Sequence, residues 1–499
     1  MFNQLFRTKN LDALMHEAEE PKNQLKRSLG AFDVVMLGIG AIIGAGIFAT
    51  IGTAAAGDAV RLGAGPALIL SFVLTAVACG FAALCYAEFA AMVPISGSAY
   101  TYSYATLGEL VAWIIGWDLI IEYAVGNVAV AISWGNYFKT FVAGFGIIIP
   151  DWLSTDYRTA GKIPGLLENA PHIFGIPIVF NILAFGIVAL ITIVLVMGIK
   201  ESARMNTYMV ALKLLILGFF ILVGWKYMKP ENWHPFAPNG WEGIQAGAAV
   251  VFFAYIGFDA VSTVAEEVKN PKRDLPIGII GSLIICTFIY ILVALVFTGI
   301  IPYHDLVNKL SSEQAEPLTM ALQYANIGEW SNLFVGIVAF GSVVAHTAVL
   351  LVFQLGQPRI FFSMARDGML PPMFAKVHPK YKTPHVTTIM TGLAVGVCSM
   401  FVSIDEMVDL TNIGTLWAFA LVCAGIWILR VRDPNRPRAF KTPFVPLVPI
   451  LGILSCLYLM MGLPFVTWIR FGLWLLVGAI IYFMYGYSHS KIRMLDPMH

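Results

Sequence analysis

Charge is what this sequence has least of. Only 12% of its 499 residues are Asp, Glu, Lys or Arg, against 58% hydrophobic, and the mean hydropathy is +0.77. Soluble domains carry about 25% charged residues, so the scarcity excludes a soluble protein and implies an integral membrane one. The net charge of +1 adds nothing, which leaves the placement of the charges to carry the argument. Cysteine is scarce too. Cys79, Cys85, Cys286, Cys398, Cys423 and Cys456 lie in apolar stretches without a CxxC or a neighbouring histidine, and are expected as packed free thiols. The polar residues 1–31 contain no apolar h-region, so the first span is expected to serve as its own targeting signal. Catalytic signatures are missing as well. His16-Glu17 begins a zinc motif, but Glu20 stands where the second histidine is needed, and no GxSxG occurs. Gly38-x-Gly40-xxx-Gly44 has the wrong spacing for a dinucleotide loop and lies in an apolar run. No enzyme, cofactor, metal or nucleic-acid partner is expected.

What is present is apolar sequence at membrane length. Runs of about 17–25 apolar residues between charged or Pro/Gly-rich breaks give twelve candidate spans. They lie near 32–56, 67–93, 108–138, 178–198, 204–227, 244–266, 276–301, 330–357, 386–403, 410–430, 445–463 and 465–487. Lys and Arg divide unevenly between the two sides: 22 on the side of both termini, 8 on the other and Lys213 inside a span. That bias puts both termini in the cytoplasm. The largest external loop, about 139–177, is Pro/Gly-rich and too short of apolar residues to form a core.

The first span is loaded with glycine: Gly38, Gly40, Gly44 and Gly46 fall within "GIGAIIGAGIF". Glycine inside a helix costs about 1 kcal/mol relative to alanine. Close helix packing through Gly40 and Gly44 is one explanation. A second glycine-interrupted span, "FFAYIGFDAVSTVAEE" from Phe252 to Glu267, supplies another. The two broken spans are the first and the sixth, so the second set of five enters the membrane from the opposite side, as in an inverted repeat. Unwound backbone at that depth must line a cavity or be buried in protein. Its free N–H groups suit a carboxylate and its free C=O groups an ammonium, and an α-amino acid carries both on adjacent atoms.

At these residues the chain resembles the amino acid–polyamine–organocation transporter superfamily, and within it the bacterial relatives of the cationic amino acid transporters. "GIGAIIGAGIF" is similar to the first-span signature and "PISGSAYTYSYATLGE" (Pro94–Glu109) to a cytoplasmic re-entrant segment. "FFAYIGFDAVSTVAEEVKNPKRDLPIGI", "ARDGMLP" (Ala365–Pro371) and "LTNIGTLWAF" (Leu410–Phe419) resemble further signatures along the chain. The animal members have fourteen spans against twelve here, so their substrate specificity does not carry over. The resemblance implies a substrate carboxylate at the N–H groups of Gly44, Ala45 and Gly46. It implies an ammonium at the carbonyls of Ile42, Phe253, Ala254 and Ile256, with the Phe253 ring as a gate and Phe353 in the side-chain pocket. Ala45 stands where many relatives have Ser or Thr.

Charges inside the membrane are functional candidates by default. Lys213 lies nine residues into its span, about 14 Å from the start at 1.5 Å per residue. The resemblance places it beside the unwound part of span 1, where sodium-driven members of this fold hold a cation; a structural lysine paired with a carboxylate is the alternative. Glu122, one turn after Asp118, is expected to pair with Lys213, to hydrogen-bond Tyr290 or to face a cationic substrate. His346 shares a face with Phe353 and is expected to be a satisfied packing histidine rather than a proton carrier.

The chain therefore reads as an all-α polytopic membrane protein of twelve transmembrane helices. A leucine-transporter-type 5+5 inverted repeat with discontinuous helices 1 and 6 is followed by two C-terminal helices. Residues 1–31 form a cytoplasmic segment, 32–227 the first repeat, 244–430 the second, 445–487 the last two helices and 488–499 a cytoplasmic tail. The function expected is proton-coupled amino acid import by alternating access, with Lys213 and Glu122 as coupling residues. Exchange on the same fold is the runner-up; a channel or intramembrane enzyme lacks any supporting motif. The partners are the amino acid, protons and the lipid bilayer of the cell membrane, and a small membrane subunit is left open.

Overall fold

The computed structural model describes residues 5–9, 27–93, 98–197, 203–310, 316–381 and 383–492. The incomplete zinc motif at His16, Glu17 and Glu20 lies outside the described residues, as do 94–97 of the re-entrant motif and the tail beyond 492. The protein is an all-α polytopic membrane protein. Among the described residues, nine helical stretches are long and apolar enough to cross a membrane. They are Ala31–Ala56, Gly65–Met92, Glu109–Ala143, Asn206–Trp225, Gly240–Ser262, Pro271–Ile300, Gly328–Arg366, Ile404–Arg432 and Phe465–His489. Three shorter apolar helices, Ile182–Met197, His385–Phe401 and Leu447–Met461, fall at the fourth, ninth and eleventh candidate positions. In chain order these are segments 1 to 12. Two short hairpins, pairing Gly57 with Leu62 and His172 with Pro177, supply the β-structure.

Burial sorts the segments. The apolar windows of segments 1 and 6 are 89% and 94% buried, against 33% for segment 5 and 22% for segment 12. The two glycine-broken segments thus occupy the centre. Outer segments turn Leu190, Leu222, Phe288, Leu393, Phe465 and Met484 outward, as an apolar solvent permits. Segment 7 packs against 1 and 2, and segment 6 against 2; segment 3 packs against 4 and 8, and segment 9 against 4 and 8.

Both chain ends reach one face. The Lys9 ammonium pairs with the Asp367 carboxylate, and the Lys491 N–H donates to the Asp367 carbonyl at 3.0 Å. The Tyr100 hydroxyl donates to the same carboxylate at 2.7 Å. Burial and that carboxylate hold the Tyr100 phenol well above its ordinary range. Leu29 N–H reaches the Glu267 carbonyl at 3.0 Å and Lys269 N–H returns to the Leu29 carbonyl at 2.9 Å, tying segment 1 to the end of segment 6. These contacts tie the chain ends to the face where segments 1, 6 and 8 end. On the opposite face, a cavity of about 410 Å³ opens beside the far end of segment 1.

Two expectations are corrected. Cys398 is exposed on the outer face of segment 9, whereas the other five cysteines are buried. The external loop does form a small core: Ala160, Ala170 and Val179 are buried together, with Trp152, Leu166 and Leu167 packed on them. A few small apolar residues suffice there because short helices at Tyr157–Ala160 and Leu166–Asn169 bring them together.

Candidate functional site

Segment 1 is not one helix. Its first half, Ala31–Ile42, ends where Ile43 turns extended (φ −76, ψ 103), and the chain restarts as a π-turn over Gly46–Thr50 before Ile51–Ala56. Segment 6 breaks at matching depth. Gly240–Val251 passes through a 3-10 turn at Phe252–Ala254 and resumes at Asp259. Gly257 at the joint has φ +121, a conformation open to glycine, and a Cβ there would stand 2.7 Å from the Ala41 carbonyl oxygen. The two joints touch: a Cβ on Gly46 would overlap the Ala254 backbone.

The glycines also pack. A Cβ on Gly44 would lie 2.7 Å from Val349 in segment 8, and one on Gly40 would lie 2.9 Å from Val210 in segment 5. Packing and breakage were posed as alternatives; both hold here, at the same residues. The N–H groups of Gly44, Ala45 and Gly46 stand in the joint and at the start of the restarted helix, where the first N–H groups have no intrahelical acceptor.

Carbonyls at the joint are gathered by two side chains from outside it. The Tyr290 hydroxyl, from segment 7, lies 3.1 Å from the Ile42 carbonyl and 2.9 Å from that of Ala254. It brings one expected ammonium ligand from each broken segment to a single point. Lys213 is fully buried, and its ammonium donates to the Gly40 carbonyl at 2.8 Å and the Ile43 carbonyl at 3.1 Å. These are end carbonyls of a half-helix, where a cation is favoured. The expected placement of Lys213 beside unwound segment 1 is what the geometry has.

Of the partners expected for Glu122, the Lys213 ammonium donates instead to the Gly40 and Ile43 carbonyls, and the Tyr290 hydroxyl reaches those of Ile42 and Ala254. Glu122 sits in a π-turn of segment 3, Ile121–Val125, with the Asp118 and Asp259 carboxyls close enough to act on it electrostatically. All three are buried, and neither oxygen of Asp118 meets an N–H or O–H donor among the described residues. The Tyr290 hydroxyl, meanwhile, is committed to the joint carbonyls.

The remaining expected residues are close at hand. Phe253 is 5% and Phe353 3% exposed. The Phe353 ring stands edge-on to Tyr123, with centroids 5.6 Å apart, and lies 3.5 Å from where a Cβ on Gly126 would sit. His346 has both ring nitrogens engaged, one with the Ser133 hydroxyl at 2.7 Å and the other with the Ser342 carbonyl at 2.6 Å. That is the satisfied packing histidine. Ile256 lies in the segment 6 joint. Sequence reasoning missed Asn412, whose amide donates to the Ala249 and Val250 carbonyls at 2.8 and 3.2 Å and caps the broken end of segment 6. Its signal was present: an asparagine inside an apolar run, in "LTNIG". It also missed Asp259 as a neighbour of Glu122, although an aspartate directly after a membrane break was visible.

With this geometry in place, comparison with known proteins is informative. Residues 29–485 match the family described as amino acid permease. The chain is 47% identical over 493 residues, covering 99% of it and 100% of the relative, to the branched-chain amino acid permease BcaP of Bacillus subtilis. It is 44% identical, over 98% of this chain and 99% of the other, to a methylthioribose transporter of the same organism. A vacuolar cationic amino acid transporter 4 of Arabidopsis thaliana is 31% identical, with 98% and 97% covered.

Proposed function

Because the chain belongs to the amino acid permease family, a family of transporters rather than enzymes, we propose that it imports small or medium neutral L-amino acids across the cell membrane with protons, by alternating access. The observation that carries this reading is the meeting of the two broken segments at the Tyr290 hydroxyl, with the start of the restarted helix on one side of the joint and carbonyls on the other. The substrate carboxylate sits at the N–H groups of Gly44, Ala45 and Gly46. Its ammonium takes the remaining lone pairs of the Ile42, Phe253, Ala254 and Ile256 carbonyls. Phe253 covers it, and Phe353 with Tyr123 closes the side-chain pocket against long cationic side chains. The name of the Bacillus branched-chain permease fits such a pocket. Methylthioribose, the solute in the other relative's name, has neither an ammonium nor a carboxylate and would leave both backbone sets unpaired.

The architecture supports the movement. Segments 1–5 and 6–10 form an inverted repeat, in which 1 and 6 are broken alike, 1, 2, 6 and 7 group together, and 3, 4, 8 and 9 form a second group. With segments 11 and 12 the chain crosses twelve times and keeps both termini in the cytoplasm. Contacts of Lys9, Tyr100 and Asp367 on the face toward the termini, with a cavity on the other, support an outward-facing reading of this conformation. Lys213 holds the joint of segment 1 while charged and releases it when neutral. Glu122, buried beside Asp118 and Asp259 between segments 3 and 6, is the second coupling residue. Substrate binding and protonation then meet at the same backbone, and their coupling is reciprocal.

The experiment is counterflow and uptake of labelled L-valine in proteoliposomes, with and without an imposed pH gradient. Accumulation driven by the gradient alone supports import with protons. Counterflow without gradient-driven accumulation leaves an exchanger on the same fold. Competition by methylthioribose and not by valine would reverse the substrate assignment.

A further inference from the structure

The external loop lines the cavity through Asp156, Thr159, Lys162 and Ile163, and its hairpin takes no part in that lining. The hairpin pairs His172 with Pro177 and Ile173 with Ile176, and the Ile178 N–H closes the stem on the Pro171 carbonyl at 2.8 Å. Phe174 and Gly175 make the two-residue tip, both at positive φ (52 and 79). Such tips are ordinarily Asn-Gly or Asp-Gly, because a bulky side chain is disfavoured in that backbone conformation. Here the first position holds phenylalanine, 100% exposed, between two exposed isoleucines. In water that choice costs twice, once in backbone strain and once in uncovered apolar surface.

The surroundings of the tip are those of a membrane boundary. No Asp, Glu, Lys or Arg lies between Glu168 and Lys200, so the hairpin runs without a charge into segment 4. A second uncharged stretch, between Lys139 and Asp151, leaves segment 3 with Phe145, Ile147 and Ile148 exposed. The Phe180 N–H donates to the Trp152 carbonyl at 2.9 Å, with the two rings edge-on, which joins the two stretches. The Asn181 N–H then donates to the Met400 carbonyl at 3.1 Å, at the end of segment 9, where Phe401 is exposed. The exposed apolar residues are therefore continuous with the outward-turned surface of segments 3, 4 and 9. Aromatic side chains favour the boundary between hydrocarbon and water. We propose that the hairpin tip is an interfacial anchor: Phe174, with Ile173 and Ile176, enters the headgroup region of the leaflet on the face away from the termini. The occupant of this surface is the bilayer itself, whatever solute the protein carries. The loop is thereby held on two sides, by the tip in lipid and by Arg158 of its cavity-lining stretch on Glu406 of segment 10.

The test is fluorescence quenching in phosphatidylcholine proteoliposomes. Phe174→Cys is made in a Cys398→Ser background, where the other five cysteines are buried, and is labelled with an environment-sensitive fluorophore. Glu168→Cys, exposed on the same loop and carrying the same label, is the aqueous reference. A lipid with a nitroxide at the top of its acyl chain should quench the Phe174→Cys label and leave the reference bright. Iodide, present on both sides of the membrane, should quench the reference and lose most of its effect at the tip. Equal quenching of the two labels by iodide overturns the anchor, whatever the lipid nitroxide does. Protection of the tip label from both quenchers overturns it also, because protein then covers the tip; cross-linking between two Phe174→Cys chains would identify that protein as a second copy. Ile148→Cys, at the end of segment 3, repeats the measurement if the tip variant does not fold, and the same results decide it.

Discussion

Replacing Lys213 with methionine removes an ammonium while keeping most of the side-chain volume. The structure sets the size of the effect. Two charge-assisted hydrogen bonds, to the Gly40 and Ile43 carbonyls, disappear from the joint of segment 1. Such bonds contribute about 1.5–3 kcal/mol each, so the clamp loses roughly 3–6 kcal/mol. One unit of pH gradient supplies about 1.4 kcal/mol per proton, or about tenfold accumulation at one proton per substrate. A transporter coupled through Lys213 should approach that tenfold ratio for L-valine, and Lys213→Met should remain at equilibrium, a ratio near one. Lys213→Arg keeps donors and charge but does not release a proton, so it should retain exchange and lose accumulation. Any residual exchange in Lys213→Met should no longer depend on pH. The assay is uptake into proteoliposomes at a series of external pH values. Accumulation of valine by Lys213→Met under a proton gradient alone would refute the reasoning and move the coupling to Glu122 and Asp259.

Other outcomes follow from single contacts. Phe353→Ser opens the space beside Tyr123 and Gly126 and should admit larger amino acids, arginine included; an unchanged competition profile across the twenty amino acids would remove Phe353 from the pocket. Gly46→Ala drives a methyl into the Ala254 backbone and should destabilise the protein by about 1–3 kcal/mol, read as a fall in thermal unfolding temperature. Gly80→Ala, with nothing within 4 Å of the new methyl, should be neutral or stabilising by the same measurement.

Much of this could be read from the chain because membrane physics leaves few choices. Apolar length marked the segments, and glycine marked both breaks, with a following aspartate at the second. Lys213 in mid-span could satisfy its charge only at exposed carbonyls or a carboxylate, and the structure uses the carbonyls of Gly40 and Ile43. What could not be read is how each helix is rotated. The π-turn at Ile121–Val125 adds a residue to one turn and re-aims Glu122, so spacing along segment 3 did not place it beside Asp259. The packing role of Gly44 depends on Val349, far away in sequence, and it changes how a variant is interpreted. Loss of transport in Gly44→Val would follow from that clash alone, so the carboxylate site needs a test on the substrate instead. Asn412 was visible as a residue but not as a cap, because the carbonyls it serves are freed only by a break in another segment.

That substrate test bears on the central claim, that one amino acid zwitterion bridges the two broken segments. Inhibition of labelled L-valine uptake is measured with L-alanine, L-alaninamide and propionate, the last two each lacking one α group. Either omission leaves part of the joint unpaired at a cost of about 1–3 kcal/mol, a weakening of roughly 5–150-fold. The account predicts that alanine competes and that alaninamide and propionate do not over the same concentration range. Competition by alaninamide equal to that by alanine would contradict it.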